Sequence, residues 1–537
     1  MQMASRACLA VLVVTIALWM SSCVGLVPVP GPPAGEFQIA VTMTGGGTGM
    51  VASAPGGIDC GPTCRANFND GTQVALTATP AKGFTFQGWS GACTGSGTCT
   101  VSATGIVNVT ASFGASLQSI NHIIIMAQEN RSFDHYFGKL NDFRTANGVP
   151  ADVDGLPADA SNPSADGLSI VNAYHLQTMC VENPSPSWNE SHVDRNLNDP
   201  VSATATNDGF VHTAAKSAVD NGYHDVLGIR VMGYYDSNDL PYYYFMATNF
   251  ATSDRWFSPE MTRTQPNRMY LLAGTSAGHA YPLPDGSPKL TNKTIFELLD
   301  AHGITWKNYV VSPHPNPIDG TSFGQFSYAN PHQQNIVDAS QFLTDATEGT
   351  LPQVSIIDPG YYNGLDEHPG EDDNVPGASV QKGSNYVSSL INGLMNSTSW
   401  QDSAFILTWD EFGGFYDHVA PQPAVNPDGL PPLDLLPGDI CTTMTGPTCD
   451  FDYTGFRVPL IVVSPFTKKN YVSHTVADYT AMLKFIETRF GLPSLTARDA
   501  AQMDMTEFFD FTNTPWKVPP SPPAQPTSGP CYFDHLP

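Results

Sequence analysis

Two pairs of oxygen-bearing side chains stand directly after apolar, β-branched runs. Glu129 and Asn130 follow INHIIIMAQ, and Asp410 and Glu411 follow SAFILTW. A carboxylate beside an amide oxygen offers two hard ligands, which suits a divalent cation. Two adjacent acids at a buried strand end would repel each other and be costly to desolvate, unless they shared a cation. Each pair also has a plainer reading: Asn130 can cap the next helix, and one of the two acids can face solvent. Thr264, in SPEMTRTQPNRMYLLAGTSAG, stands two residues before Pro266, a residue that fits the first turn of a helix. There it is either an N-cap or a hydroxyl in the field of free N–H groups that attract anions. A hydroxyl that also touches a metal can be deprotonated and made nucleophilic. His192, in the polar segment PSWNESHVDRN, and His368, in DEHPGEDD, can give a proton to a leaving oxygen or steady developing negative charge near neutrality. Singly, each also reads as a surface histidine. Gly413 and Gly414 allow a tight turn or the close approach of a ligand, with Asp417 and His418 as supporting or ordinary loop residues.

These residues need a frame. INHIIIM, GITWKNYVV, LPQVSIID, SAFILTWDEF and VPLIVVSPF are continuous apolar runs, the mark of strands buried on both faces of a parallel sheet. Helical stretches such as KTIFELLDAHG, VSSLINGLMNSTSW and VADYTAMLKFIETRFG lie between them. Strands alternating with helices predict an α/β layered fold, in which chemistry gathers beyond the carboxyl ends of the strands. The aromatic stretch DLPYYYFMATNFATSDRWF is either core or the lining of an apolar groove. There is no Walker phosphate loop, no dinucleotide glycine fingerprint, no H-E-x-x-H and no G-x-S-x-G elbow.

ENRSFDHYFG, TQPNR, DEHP and WDEFGGFYDH, in this order, with LTARDAAQMDMTEFFDF near the end, resemble the phosphoesterase family of bacterial and plant phospholipase C and acid phosphatase. The resemblance runs from residue 118 to about 515. It implies an alkaline-phosphatase-like layered sandwich with a mostly parallel central sheet. It also implies one divalent metal ion, whose identity the sequence does not name. Glu129 and Asn130 match the first metal ligands, Asp410 matches an acidic ligand, and Glu411 fills the neighbouring acidic position. Thr264 matches the Ser/Thr nucleophile, itself a metal neighbour. His192 and His368 match histidines that contact the phosphate or its leaving group. Two departures touch the substrate pocket. Ser187 precedes Trp188 where many members carry a histidine, and a further family histidine is either His314 or His332. The implied substrate is a phosphate ester, a phospholipid or a soluble monoester. A catalytically inactive surface adhesin is the competing reading of another class.

Residues 1–23 read as a secretory signal: Arg6, an apolar run, then Ser21, Ser22 and Cys23. LWMSSC resembles a bacterial lipobox, which implies a lipid anchor on Cys23 and a surface or outer-membrane lipoprotein, with plain secretion as the alternative. Residues 24–36 form a Pro-rich linker. Residues 37–115 alternate with period two between Gly, Pro and Asn turns, which predicts a small all-β domain. Within them, GIDCGPTCRANFNDGTQVALTATPAKGFTFQGWSGACTGSGTCTV resembles a bacterial surface β-repeat, a spacer or adhesion module. Trp89 is its core or a ligand platform. The expected phosphoesterase domain is 118–495, and 496–537 is a C-terminal extension packing on it. Of ten cysteines, eight remain outside the signal and Cys23. An even number in an exported chain predicts disulfides, with Cys60–Cys64, Cys93–Cys99, Cys441–Cys449 and Cys180–Cys531 as the plausible pairs. The formal charge of −27 argues against a nucleic-acid partner and against docking by charge on anionic lipid.

Overall fold

The protein is described by a computed structural model that covers residues 33–61, 63–311, 317–361, 363–370 and 379–536. The signal segment, Cys23, most of the Pro-rich linker and His314 lie outside the described residues. Two compact units form. One comprises 33–42, Val51–Thr77 and Trp89–Thr110. The other comprises Met43–Met50, Ala78–Gly88 and Ala111–Pro537.

The region between Glu36 and Gly114 is all β, with two four-stranded sheets. Its alternating pattern is used as expected: Ile39, Val51, Val74, Leu76 and Val109 point inward and are almost fully buried. Trp89 is buried too, and its indole N–H donates to the carbonyl of Gly97 at 2.6 Å, so it serves as core.

The large unit is built on an eight-stranded sheet. Its strands are β1 (His122–Gln128), β2 (Ala251–Ser253), β3 (Trp306–Val310), β4 (Ile336–Asp338), β5 (Val354–Asp358), β6 (Ser403–Trp409), β7 (Leu460–Val463) and β8 (Tyr471–Ser473). Their spatial order is β4-β3-β5-β1-β6-β7-β2-β8. All neighbours pair in parallel except β6 with β7 and β7 with β2, so β7 alone runs against the rest. β1 and β6 sit mid-sheet and are buried along almost their whole length, which explains their unbroken apolar composition. Helices cover the sheet, among them α1 (Trp188–Arg195), α2 (Pro241–Asn249), α3 (Thr264–Ala273) and α4 (Val380–Met395). α4 buries Val380, Val387, Leu390, Ile391 and Leu394, a stripe at helical spacing. Tyr242, Tyr243 and Tyr244 of α2 and Trp256 beyond it are fully buried, so the aromatic stretch is core and lines no groove. No helix among the described residues is long and apolar enough to cross a membrane.

All four anticipated disulfides are present: Cys60–Cys64, Cys93–Cys99, Cys180–Cys531 and Cys441–Cys449. The Cys180–Cys531 bridge spans 351 residues of sequence and ties the tail to the segment before α1. Closing so long a loop restricts the unfolded chain strongly. The double variant Cys180→Ser/Cys531→Ser should therefore lose about 2–5 kcal/mol of stability. Denaturant unfolding of the purified protein checks this, and an unmoved midpoint would mean that the tail is held by its packing alone.

Candidate active site

The register of two strands creates the site. Gln128, the last residue of β1, pairs with Trp409, the last residue of β6. Glu129–Asn130 and Asp410–Glu411 therefore leave the sheet side by side at its carboxyl edge. The backbone N–H of Asp410 donates to the carbonyl of Gln128 at 3.0 Å, and that of Arg131 to the carbonyl of Glu411 at 3.0 Å. Asn130 takes a left-handed backbone, φ 58°, which asparagine tolerates better than most residues. Its N–H donates to Asp410 Oδ1 at 3.1 Å. Gly413, at φ 73°, lies so close to this turn that a Cβ there would stand 2.3 Å from the carbonyl oxygen of Asn130. The glycine is therefore required by close approach.

Thr264 is the first residue of α3, and Arg263 occupies the cap position without any side-chain cap bond. The hydroxyl is thus not spent on the helix terminus. Oγ1 donates toward Glu129 Oε2 at 3.0 Å and lies 3.3 Å from Asn130 Oδ1. Arg268 follows four residues later, on the same helix face. Its Nη2 donates to Glu129 Oε1 at 2.8 Å and to the carbonyl of Ala127 at 2.9 Å, and its Nε to Asp410 Oδ2 at 3.2 Å. Asp358, which ends β5, lies 3.7 Å from Arg268 Nη1. Tyr361 lies over the guanidinium and donates to Asp358 Oδ1 at 3.2 Å.

Negative charge is in excess here. Glu129, Asp410 and Glu411 are buried to within 1 % of complete. Burial raises the pKa of Glu129, and Arg268 opposes that rise. Burial, helped by neighbouring Glu129, pushes Asp410 up to about 7. Burial and the charge of Asp410 push Glu411 well above the usual carboxylate range. Glu411 accepts the N–H of Gly413 at 2.6 Å through Oε2, but its buried Oε1 has no hydrogen-bond partner. An orphaned carboxylate oxygen in a set of three acids, one amide oxygen and one hydroxyl fits a hard divalent cation. Glu129, Asn130, Asp410, Glu411 and Thr264 are the residues that would hold it.

Two groups of His and Asp whose ligand atoms lie within 4.8 Å of one another are found among the described residues, and Glu129, Asp410 and Glu411 do not form a third. Asp134, Asp417 and His418 surround Arg457, whose Nη2 and Nε donate to Asp134 Oδ1 at 2.9 Å and Asp417 Oδ1 at 2.8 Å. Arg457 stands among these acids as Arg268 stands among Glu129, Asp410 and Asp358, and the network braces the loop after β6. His175 pairs with Asp239 at 2.7 Å near Asp236.

The two histidines are held differently. His368 is half-buried, and its Nδ1 lies 2.6 Å from the carbonyl of Pro369. Its segment is pinned on both sides. The carbonyl of Asp366 accepts the N–H of Glu129 at 2.8 Å. Glu367 is buried and accepts from Tyr136 at 2.7 Å, Tyr243 at 2.5 Å and Trp409 at 3.2 Å. Burial pushes Glu367 up to about 7. His192, on α1, is fully buried, with Nδ1 2.7 Å from the carbonyl of Trp188 and Nε2 3.1 Å from that of Thr448. Burial lowers its pKa. The hydrogen bonds thus bring Thr264, Glu129, Asn130 and Asp410 together, with Glu411 adjoining, while the ring nitrogens of His192 rest on backbone carbonyls. His332 stacks on Tyr328 and lies 2.8 Å from its carbonyl oxygen. Arg268, Asp358 and Glu367 were not anticipated. The four-residue spacing of Thr264 and Arg268 was the available signal for the first of them.

A cleft of about 420 Å³ opens on Thr264. Gln265, Leu283, Lys289, Ile318, Gln325 and Tyr361 also line it. It is small for enclosing a ligand with long alkyl chains.

Residues 120–493 match the model of the Phosphoesterase family, and residues 39–116 match that of the Divergent InlB B-repeat domain. Phospholipase C B of Mycobacterium tuberculosis is 31% identical over 445 residues, covering 76% of this chain and 80% of the relative. Non-specific phospholipase C3 of Arabidopsis thaliana is 31% identical over 392 residues, covering 69% and 68%. A solved structure of a protein in the alkaline phosphatase superfamily from Vibrio parahaemolyticus aligns with a TM-score of 0.30 at 13% identity, over 68% of this chain and 78% of that one.

Proposed function

Since the chain belongs to the phosphoesterase family and is a phosphoric ester hydrolase, we propose that it is a metal-dependent enzyme of phospholipase C type that works through a phosphothreonine on Thr264. The observation that carries this reading is the hydroxyl of Thr264. It starts a helix without capping it and is directed instead at Glu129 and Asn130. When bound, a divalent cation would supply positive charge for a phosphate oxygen and lower the pKa of a hydroxyl beside it. The rest falls to the chain. Glu129 Oε2 accepts the hydroxyl proton, and Thr264 Oγ1 attacks in line at phosphorus. His368 gives a proton to the leaving alkoxide, while Asn130 steadies an equatorial oxygen; His192, buried with both ring nitrogens on backbone carbonyls, takes no part. Water then cleaves the Thr264 phosphate ester. Arg268 holds Glu129 and Asp410 in place and opposes the rise that burial gives their pKa values.

The substrate we propose is a phospholipid, and the protein is an exported one. Acid phosphatase action on soluble monoesters is the second reading, and the modest size of the cleft favours it. Phosphatidylcholine and a soluble phosphomonoester, assayed side by side on the purified protein with metal analysis of the same sample, separate the two. Release of phosphorylcholine at the higher kcat/KM is expected. Turnover of the monoester alone would replace the first reading by the second, and no turnover of either with added metals would leave an inactive surface protein. In the same assay Asp410→Asn should lower the bound metal and cut activity by at least about a hundredfold. Unchanged metal content and rate would remove Asp410 from the ligand set.

A further inference from the structure

A phospholipid split at its headgroup keeps its acyl chains in the bilayer, so the protein would have to meet the membrane near the rim of the cleft. One loop in the large unit has the surface for this. Between Val425 and Cys449 the chain exposes Leu433 at 61 %, Leu436 at 64 %, and Val425, Leu430 and Met444 to a lesser degree. Apolar side chains clustered in one exposed loop mark an interaction site rather than ordinary surface.

The loop is fixed rather than slack. Cys441–Cys449 closes its end, and the indole of Trp188 donates to the carbonyl of Ile440 at 3.1 Å. Leu433 lies on Gly278, where a Cβ would stand 2.8 Å from its Cδ1, and its N–H donates to the carbonyl of Gly278 at 2.8 Å. Leu433 is thus anchored against Gly278 while staying largely exposed, and Leu436 is exposed to a similar degree.

The three acids of the loop each hold a polar partner, although Asp428 stays exposed and Asp434 and Asp439 are half-buried. Asp428 accepts from Thr275 at 2.6 Å, Asp434 from the N–H of Ala280 at 2.8 Å, and Asp439 from Asn189 at 2.7 Å. No Lys or Arg lies between Val425 and Cys449. A surface that presents carbon and no cation, on a chain of net charge −27, suits a zwitterionic lipid surface and not an anionic one.

The loop is also continuous with the cleft. From Gly278 the chain runs to Leu283, whose N–H donates to Gln265 Oε1 at 3.2 Å, and both residues line the cleft beside Thr264. We propose that residues 425–446 are a membrane-docking loop that seats the cleft on a zwitterionic phospholipid bilayer. This rests on the phospholipid reading above.

The test compares the exported chain with its Leu433→Asp/Leu436→Asp variant, both carrying Cys23→Ala so that no acyl group at that residue contributes. Three quantities are measured: co-sedimentation with phosphatidylcholine vesicles, hydrolysis of those vesicles, and hydrolysis of p-nitrophenyl phosphorylcholine in solution. The variant should lose about tenfold or more in vesicle binding and vesicle hydrolysis while its rate on the soluble ester stays unchanged. Phosphatidylglycerol vesicles should bind the parent more weakly than phosphatidylcholine. Equal binding by parent and variant, no binding by the parent, or a preference for phosphatidylglycerol would each overturn the proposal. If the parent binds vesicles through the loop yet hydrolyses only monoesters, the docking surface stands and the substrate reading falls. Leu433→Ser/Leu436→Ser serves if the aspartate variant fails to fold.

Discussion

Thr264→Ala is expected to lower kcat by about four to six orders of magnitude on any phosphate ester the protein accepts. The nucleophile is the one group that forms a bond to phosphorus in this reading, and the remaining residues retain only binding and charge stabilisation. The loss should come without unfolding. Thr264 is partly exposed and caps nothing, so stability should move by no more than about 1 kcal/mol. Thr264→Ser, which keeps the oxygen, should recover much of the rate. Rapid quenching of the parent during turnover should trap one phosphate per chain on Thr264, and the alanine variant should trap none. A Thr264→Ala protein that turns over at the parental rate would end the nucleophile assignment.

The second large effect falls on stability. Arg268 is buried and answers Glu129, Asp410 and Asp358 together. Arg268→Leu leaves those carboxylates with no counter-charge, and removing one partner of a buried ion pair costs about 3–5 kcal/mol. Denaturant unfolding with a chelator present is the measurement. A loss below about 1 kcal/mol would mean that the acids are not competing for charge. Adding a divalent cation should restore part of the loss. The pH dependence has a definite sign. Asp410 is raised from 3.8 to about 7, so its share of stability is fully present below 3.8 and is lost as pH rises through about 7. Without Arg268 the raised pKa rises further. The gap between parent and variant should therefore be widest in neutral and alkaline buffer and should close on acidification.

Much of this frame was legible in the residues. INHIIIM, VSIID and SAFILTW read as strands because a strand covered on both faces has no polar face to show. All three lie mid-sheet. VPLIVV was legible as a strand but not in direction, since a buried run looks the same whether it is parallel or antiparallel. The short strands Ala251–Ser253, Ile336–Asp338 and Tyr471–Ser473 gave no such signal, because three residues are too few to carry a period. The four oxygen-bearing side chains and the hydroxyl could be picked out by where they stand, just past strand ends and at a helix start. For Arg268 the sequence offered only its four-residue spacing from Thr264; its partners come from three different strand ends and meet only once the sheet has formed. The exposed leucines of the 425–446 loop were equally silent, since apolar residues in a sequence do not say which way they face.

The alignment of Gln128 with Trp409 has a consequence for what can be altered. The reactive cluster hangs from the ends of two adjoining ribbons whose spacing is set by main-chain pairing alone, while the cleft wall near Leu283 and Lys289 comes from an intervening excursion that takes no part in that pairing. Reactivity and selectivity are therefore separable modules. Replacing the short stretch from Leu283 to Lys289, which lines the cleft and lies outside the buried core, should change which substrates are accepted while leaving the cluster at the strand ends as it is.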